Sequence, residues 1–139
     1  MTDPRTELVA QGYDVIGDRF AEWRDRIVGD PRRWWADALT SRLQDGARVL
    51  ELGCGAGVPD TKLLAERFRV TGVDISGGQI SRARTNVPEA EFIQADLTSL
   101  ELEPHPVDAV AAFYSFNHVP RDLVGAVFGR IHSWILART

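Results

Sequence analysis

Cysteine is nearly absent from this chain: its 139 residues hold one, Cys54, so no internal disulfide can form. Set between glycines, where only a small side chain fits, Cys54 reads as a packing residue. No apolar run approaches the ~20 residues that a membrane span needs. Residues Met1 to Gln11 carry charges and a proline in place of the apolar core and small-residue cleavage site of a secretory leader. A soluble, cytoplasmic protein is expected, with no membrane partner. A concentrated basic face is missing too. The formal net charge is −4 with acids and bases interspersed, and Arg32-Arg33 beside Trp34-Trp35 is the nearest thing to a basic-aromatic patch. Nucleic acid is therefore not expected as a partner.

What the chain does have is Val49-Leu50-Glu51-Leu52-Gly53-Cys54-Gly55-Ala56-Gly57. An apolar strand that breaks into three glycines spaced by single residues makes a sharp turn whose backbone can approach a ligand without Cβ interference. Such a turn reads as a nucleotide-type pocket, or more plainly as a tight strand-helix turn of some other α/β protein. A dinucleotide fingerprint requires Gly-x-Gly-x-x-Gly, whereas the third glycine here comes one residue early, so an NAD-linked oxidoreductase fails on spacing.

Taken in order, Val9, Tyr13, Ile16, Phe20, Trp23 and Ile27 recur at steps of four and three and predict a helix with one apolar face. Asp30-Pro31 predicts an N-cap and first position for a second helix running to about Gln44, with Trp34, Trp35, Ala38, Leu39 and Leu43 on its apolar face. Arg48 to Leu52 predicts a strand buried on both faces. Pro59-Asp60 opens the next helix, which ends near Arg67. Arg69 to Ile75 predicts the second strand, with Asp74 at its carboxyl end, where an acid ~20 residues beyond the first glycine is placed to accept ribose hydroxyls. Ser76 caps the following helix, and Pro88 stops it. Glu91 to Gln94 predicts the third strand. Beyond it the Asp96 carboxylate and the Leu97 amide can together match the edge of adenine. Leu100 to Pro106 reads as a solvated loop, Val107 to Phe113 as a fourth strand, and Asp122 as the cap of a last helix carrying Leu123, Val127, Phe128, Ile131, Trp134 and Ile135.

Alternating strands and helices imply right-handed βαβ units and a parallel sheet. Four motifs in order carry a closer resemblance: the glycine loop, Asp74, Asp96-Leu97, and the run Phe113-Tyr114-Ser115-Phe116-Asn117-His118. From about Tyr13 to Trp134 the chain resembles a class I S-adenosylmethionine-dependent methyltransferase of the small-molecule type. The resemblance implies a Rossmann-like, doubly wound parallel sheet of about four strands, with residues 1–45 as covering helices and 46–139 as the cofactor-binding core of one domain. It implies further that Glu51, Gly53 and Gly55 line the methionyl end of S-adenosylmethionine, Asp74 binds the ribose and Ile75 packs on the adenine. Asp96 and Leu97 would read the adenine edge, Phe113 and Tyr114 would lie near the amino-acid moiety, and Tyr13 would close over it. The product would be S-adenosylhomocysteine, and no metal is needed.

Members of that family usually continue with a Pro-Gly-Gly-type turn and three more strands, which this sequence does not contain. Two functions stay open on the residues alone. One is methyl transfer to a small-molecule acceptor, with His118 either the general base or a packed histidine. The other is a non-catalytic binding or assembly module. The apolar fourth strand without an outer neighbour, or the Phe128, Ile131 and Trp134 face, makes a homodimer the expected assembly.

Overall fold

The computed structural model describes residues 3–102 and 107–136. Two helices come first, α1 (Pro4–Arg24) and α2 (Arg32–Thr40), followed by β1 (Arg48–Leu52), α3 (Asp60–Ala65), β2 (Arg69–Asp74), α4 (Gly77–Asn86), β3 (Glu91–Gln94) and β4 (Ala109–Ala111). Short 3-10 turns at Phe116–His118 and Arg121–Leu123 lead into α5 (Val124–Leu136). The strands form one sheet in the order β3-β2-β1-β4, every pair parallel. This is the doubly wound arrangement the alternation of elements predicts.

Strand β1 explains why the sheet needs cover on both sides. Val49 faces a cluster with Ala36, Leu64, Phe68 and Val70, under α2 and α3. Leu50 and Leu52 face the opposite cluster with Val73, Leu100 and Val107, against which Ile131 and Trp134 of α5 pack. The two clusters bury the central strands on both faces. That arrangement turns the carboxyl ends of β1, β2 and β3 into the rim of a cleft.

Several expectations are corrected. Helix α1 begins at Pro4 instead of Val9, because the Asp3 carboxylate accepts the Arg5 amide and caps it. Its buried positions are Thr6, Ala10 and Gly17, while Ile16 and Trp23 are exposed. The apolar stripe thus turns toward the cleft through Val9, Tyr13 and Phe20 instead of docking on the core. Helix α2 starts one residue late and stops at Thr40. Asp30 still serves its start, accepting from the Arg32 amide at 2.9 Å. Trp34 and Trp35 pack edge-to-face on each other and are 63% and 51% exposed, so they lie off the buried face.

Strand β4 is three residues long where seven were expected. Among the described residues it pairs only with β1, from Val49↔Ala109 to Glu51↔Ala111. Beyond Ala111 the chain leaves the sheet to cross over Gly53, which ends the strand. Asp122 does not cap α5: its carboxylate accepts from Arg5 Nη1 at 2.7 Å, and a 3-10 turn precedes the helix. Of the last helix's supposed free face, Ile131 and Trp134 are packed on the sheet and only Phe128 is exposed, its ring stacked on Phe116. Part of the loop expected at Leu100–Pro106 lies outside the described residues.

Candidate functional site

The site starts from the turn after β1. Gly53 has φ +76°, and its amide and that of Cys54 donate to the Val73 carbonyl at 2.7 and 3.0 Å. A Cβ on Gly53 would stand 2.3 Å from the Ser115 Cβ. Ser115 is held there by donating its hydroxyl to the Leu52 carbonyl at 2.8 Å. Glycine is therefore required both for backbone sign and for the approach of the β4 loop.

At the end of β2 the Asp74 carboxylate accepts the Gly55 amide at 2.9 Å and the Ser76 amide at 3.0 Å. Burial pushes its pKa up, and those two amides partly offset the rise. A carboxylate has about four acceptor positions, so Asp74 still has capacity for donors from the cleft it lines. Ser76 caps α4 as expected, accepting the Gln79 amide. Its own hydroxyl donates to Asp14 of α1.

The cleft encloses about 910 Å³ of empty space, solvent at its mouth included. Ten of the predicted residues line it: Tyr13, Gly53, Gly55, Asp74, Ile75, Asp96, Leu97, Phe113, Tyr114 and His118. Glu51 does not. It is fully buried, its Oε2 accepting from the Thr61 hydroxyl of α3 at 2.7 Å and its Oε1 without a partner. Burial, and next the neighbouring Asp60, push its pKa up to about 8. Glu51 reaches from β1 to Thr61 of α3.

At the far end, Asp96 is also buried. Its Oδ1 accepts from the Thr98 amide and hydroxyl at 2.9 and 2.7 Å, and its Oδ2 from the Thr6 hydroxyl of α1 at 2.5 Å. Tyr13 Oη and His118 Nε2 are 2.8 Å apart, with their rings edge-to-face. Burial, then Asp74, raise the Tyr13 pKa. Tyr114 takes a φ of +56°, and the Arg32 guanidinium sits 4.8 Å above its ring.

Sequence reasoning missed Thr6, Arg24, Arg32, Asp60 and Gln79, which also line the cleft. Thr6 precedes the helix expected from Val9, Arg24 and Arg32 lie off the apolar faces expected of the two covering helices, and only a contact 90 residues away in sequence marks Thr6 as part of the site. Asp60 read as a helix opener. In the structure it lies 3.1 Å from Arg32 Nε, and burial raises its pKa to about 6 against the lowering effect of Arg32 and Arg24. Among the described residues, no group of three or more acids, histidines or cysteines could hold a metal ion.

Residues 49–136 match the family described as methyltransferase domain. The trans-aconitate 2-methyltransferase of Enterobacter sp. (strain 638) is 43% identical over 108 residues, 72% of this chain and 42% of that protein. The 27-O-demethylrifamycin SV methyltransferase of Amycolatopsis mediterranei (strain S699) is 30% identical over 86% of this chain and 52% of its own length. The chain thus spans about half the length of these curated relatives. Among solved structures, DhpI in its complex with SAH superposes with a TM-score of 0.72 at 27% identity, covering 97% of this chain and 66% of that one. Magnesium protoporphyrin IX methyltransferase from Synechocystis PCC 6803 with bound SAM gives 0.72 at 22% identity, over 96% and 73%, and supports the fold. By its glycine turn, its strand order and the match from 49 to 136, the chain belongs to the methyltransferase domain family.

Proposed function

We propose that this chain binds S-adenosylmethionine in the cleft and presents it for methyl transfer to a small-molecule acceptor. The observation that carries the reading is the convergence of Gly53, Asp74 and Asp96, from the ends of three adjacent strands, on one cleft. The residues fit the cofactor. The Gly53-Gly55 turn lines the cleft, and Asp74 keeps acceptor positions free for a ribose. The methyltransferases it is similar to, and the SAM and SAH bound in the solved structures, support the same cofactor.

When bound, S-adenosylmethionine supplies a methyl group on a sulfonium that leaves without help from a metal. The protein's work in this reading is orientation. Asp74 holds the ribose hydroxyls, Ile75 and Leu97 flank the adenine, and Asp96 accepts from its amino group. Phe113, Tyr114 and the Gly53-Gly55 turn bound the amino-acid end, and Tyr13 covers it from α1. Glu51 joins β1 to α3 in this reading. For a hydroxyl acceptor, His118 takes the proton at Nε2 once Tyr13 has released that nitrogen.

A cytoplasmic setting accords with the lone buried Cys54. No described helix is long and apolar enough to cross a membrane. A homodimer would now use the outer edge of β4 or Phe128, because Ile131 and Trp134 are packed on the sheet. Sedimentation velocity tests it: a single monomeric species at micromolar concentration removes that assembly.

Calorimetric titration with S-adenosylhomocysteine tests the cofactor. Saturable one-to-one binding is expected, and heat indistinguishable from dilution would end the reading. Transfer of a labelled methyl group to any acceptor would separate an enzyme from a binding module.

A further inference from the structure

Helix α1 carries a line of aromatic rings that runs out of the cleft. Tyr13, Phe20 and Trp23 fall at helical spacing on one face. Their rings meet in order: His118 to Tyr13 at 5.4 Å between centroids and Tyr13 to Phe20 at 5.2 Å, both edge-to-face, then Phe20 to Trp23 at 5.9 Å, tilted. Tyr13, Phe20 and His118 line the cleft, whereas Trp23 lies beyond that lining and is 59% exposed. The line thus begins at the base candidate and ends in solvent. A single exposed tryptophan is ordinary, but one that prolongs a cleft wall offers a flat apolar surface continuous with the site.

Charge narrows what can lie along it. The acids that line the cleft are Asp60, Asp74 and Asp96, and the arginines are Arg24 and Arg32. Asp60 serves both arginines: it stands 3.1 Å from Arg32 Nε, and although burial raises its pKa, both guanidiniums counter the rise. Arg32 also donates to Asp30 at 2.7 Å. With both guanidiniums engaged and acids in excess, an acceptor with several negative charges meets like charge and no waiting cation. Resting on the cofactor reading above, we propose that Phe20 and Trp23 form an acceptor subsite for a neutral molecule of two joined planar rings whose hydroxyl stands at His118. Phe20 takes the ring nearer the hydroxyl, and Trp23 the farther one.

Titrations of the full chain saturated with S-adenosylhomocysteine test this, with 2-naphthol as the neutral probe and trans-aconitate, which has three carboxylates, as the anionic one. Saturable binding of 2-naphthol is expected, at least about tenfold tighter than that of trans-aconitate. Trp23→Ala should weaken 2-naphthol about three- to tenfold, the scale of one aromatic pair, while changing S-adenosylhomocysteine by less than about twofold. Trp23→Phe should recover part of the loss. Trp34→Ala removes an exposed ring that does not line the cleft and should change neither affinity. If the S-adenosylhomocysteine complex does not bind 2-naphthol, or binds trans-aconitate more tightly, the proposal is overturned and the cofactor reading stands. Equal effects of Trp23→Ala and Trp34→Ala on 2-naphthol overturn the subsite as well. Failure of the unaltered protein to bind S-adenosylhomocysteine overturns the cofactor reading, and this proposal with it.

Discussion

The Thr6 hydroxyl donates to Asp96 Oδ2 at 2.5 Å, joining the first turn of α1 to the end of β3 across the mouth of the cleft. The same hydroxyl lies 2.8 Å from the Asp3 carbonyl, so the helix cap and the cleft acid compete for one proton. Other pins along α1 are polar as well: Asp14 to Ser76 and to the Gly78 amide, and Asp18 to Arg82. A helix held over a cleft by hydrogen bonds and few core contacts belongs to the less stable part of a fold. Thr6→Val keeps the shape and removes the donor, at a cost of about 1–3 kcal/mol for the buried acceptor left behind. Hydrogen exchange at residues 5–14 should accelerate while β1 and β2 stay protected. Unchanged exchange there would mean that Thr6 does not hold the helix.

Asp74 has a double role that one substitution cannot separate. Asp74→Ala removes the acceptor for the Gly55 and Ser76 amides together with the proposed ribose contact. Affinity for S-adenosylhomocysteine should fall by about 1–3 kcal/mol. Asp74→Asn keeps one acceptor oxygen, so it should retain the turn better than alanine does and fall between the two in affinity. Calorimetry on both variants checks this, and equal affinity in Asp74→Ala and the unaltered protein would remove the ribose assignment.

Gly53→Ala meets two penalties of different kinds. A φ of +76° costs an alanine about 1–2 kcal/mol, and its Cβ would overlap the Ser115 Cβ at 2.3 Å. Denaturant unfolding should show a loss of more than about 2 kcal/mol. Adding Ser115→Gly removes the overlap but not the backbone strain, so the double variant should recover part of the loss relative to Ser115→Gly alone. No recovery would assign the whole penalty to φ.

The strands and the glycine turn were legible because both depend on short-range pattern. Arg48–Leu52 and Glu91–Gln94 fall where their continuous apolar and β-forming residues put them, and Asp74 closes β2 as its distance from Gly53 requires. What was not legible depends on encounters between distant segments. The length of β4 is set by the Ser115 crossing at Gly53, Asp122 is drawn away from its helix by Arg5, and Arg24 becomes a cleft residue only once α1 lies across the sheet. Glu51 shows the limit within a single strand. The strand was read correctly, but pattern alone could not say whether its acid faces the cleft or Thr61.

Glu51 gives a dependence on pH between the acid and the mildly alkaline range. Its folded pKa of about 8 lies above the ordinary 4.5, because burial and Asp60 disfavour the charged form. The folded protein therefore holds a proton that the unfolded chain gives up. For a group raised in this way the stabilising balance is complete below the unfolded pKa and is lost as pH rises toward the folded one, so the penalty grows between about 4.5 and 8. Glu51→Gln keeps an oxygen for the Thr61 hydroxyl and cannot ionise. The variant should match the unaltered protein near pH 5 and exceed it in melting temperature by about 4 °C or more at pH 9, the shift expected from a gain of roughly 1 kcal/mol or more in a domain of this size. Asp60, raised to about 6 from 3.8, adds a smaller slope of the same sign and is still present in the variant. The variant's curve should accordingly keep falling gently toward pH 6 and then flatten, while that of the unaltered protein continues down to about pH 8. Thermal melts at unit pH steps distinguish the two shapes, and parallel curves would show that Glu51 is ionised in the folded protein.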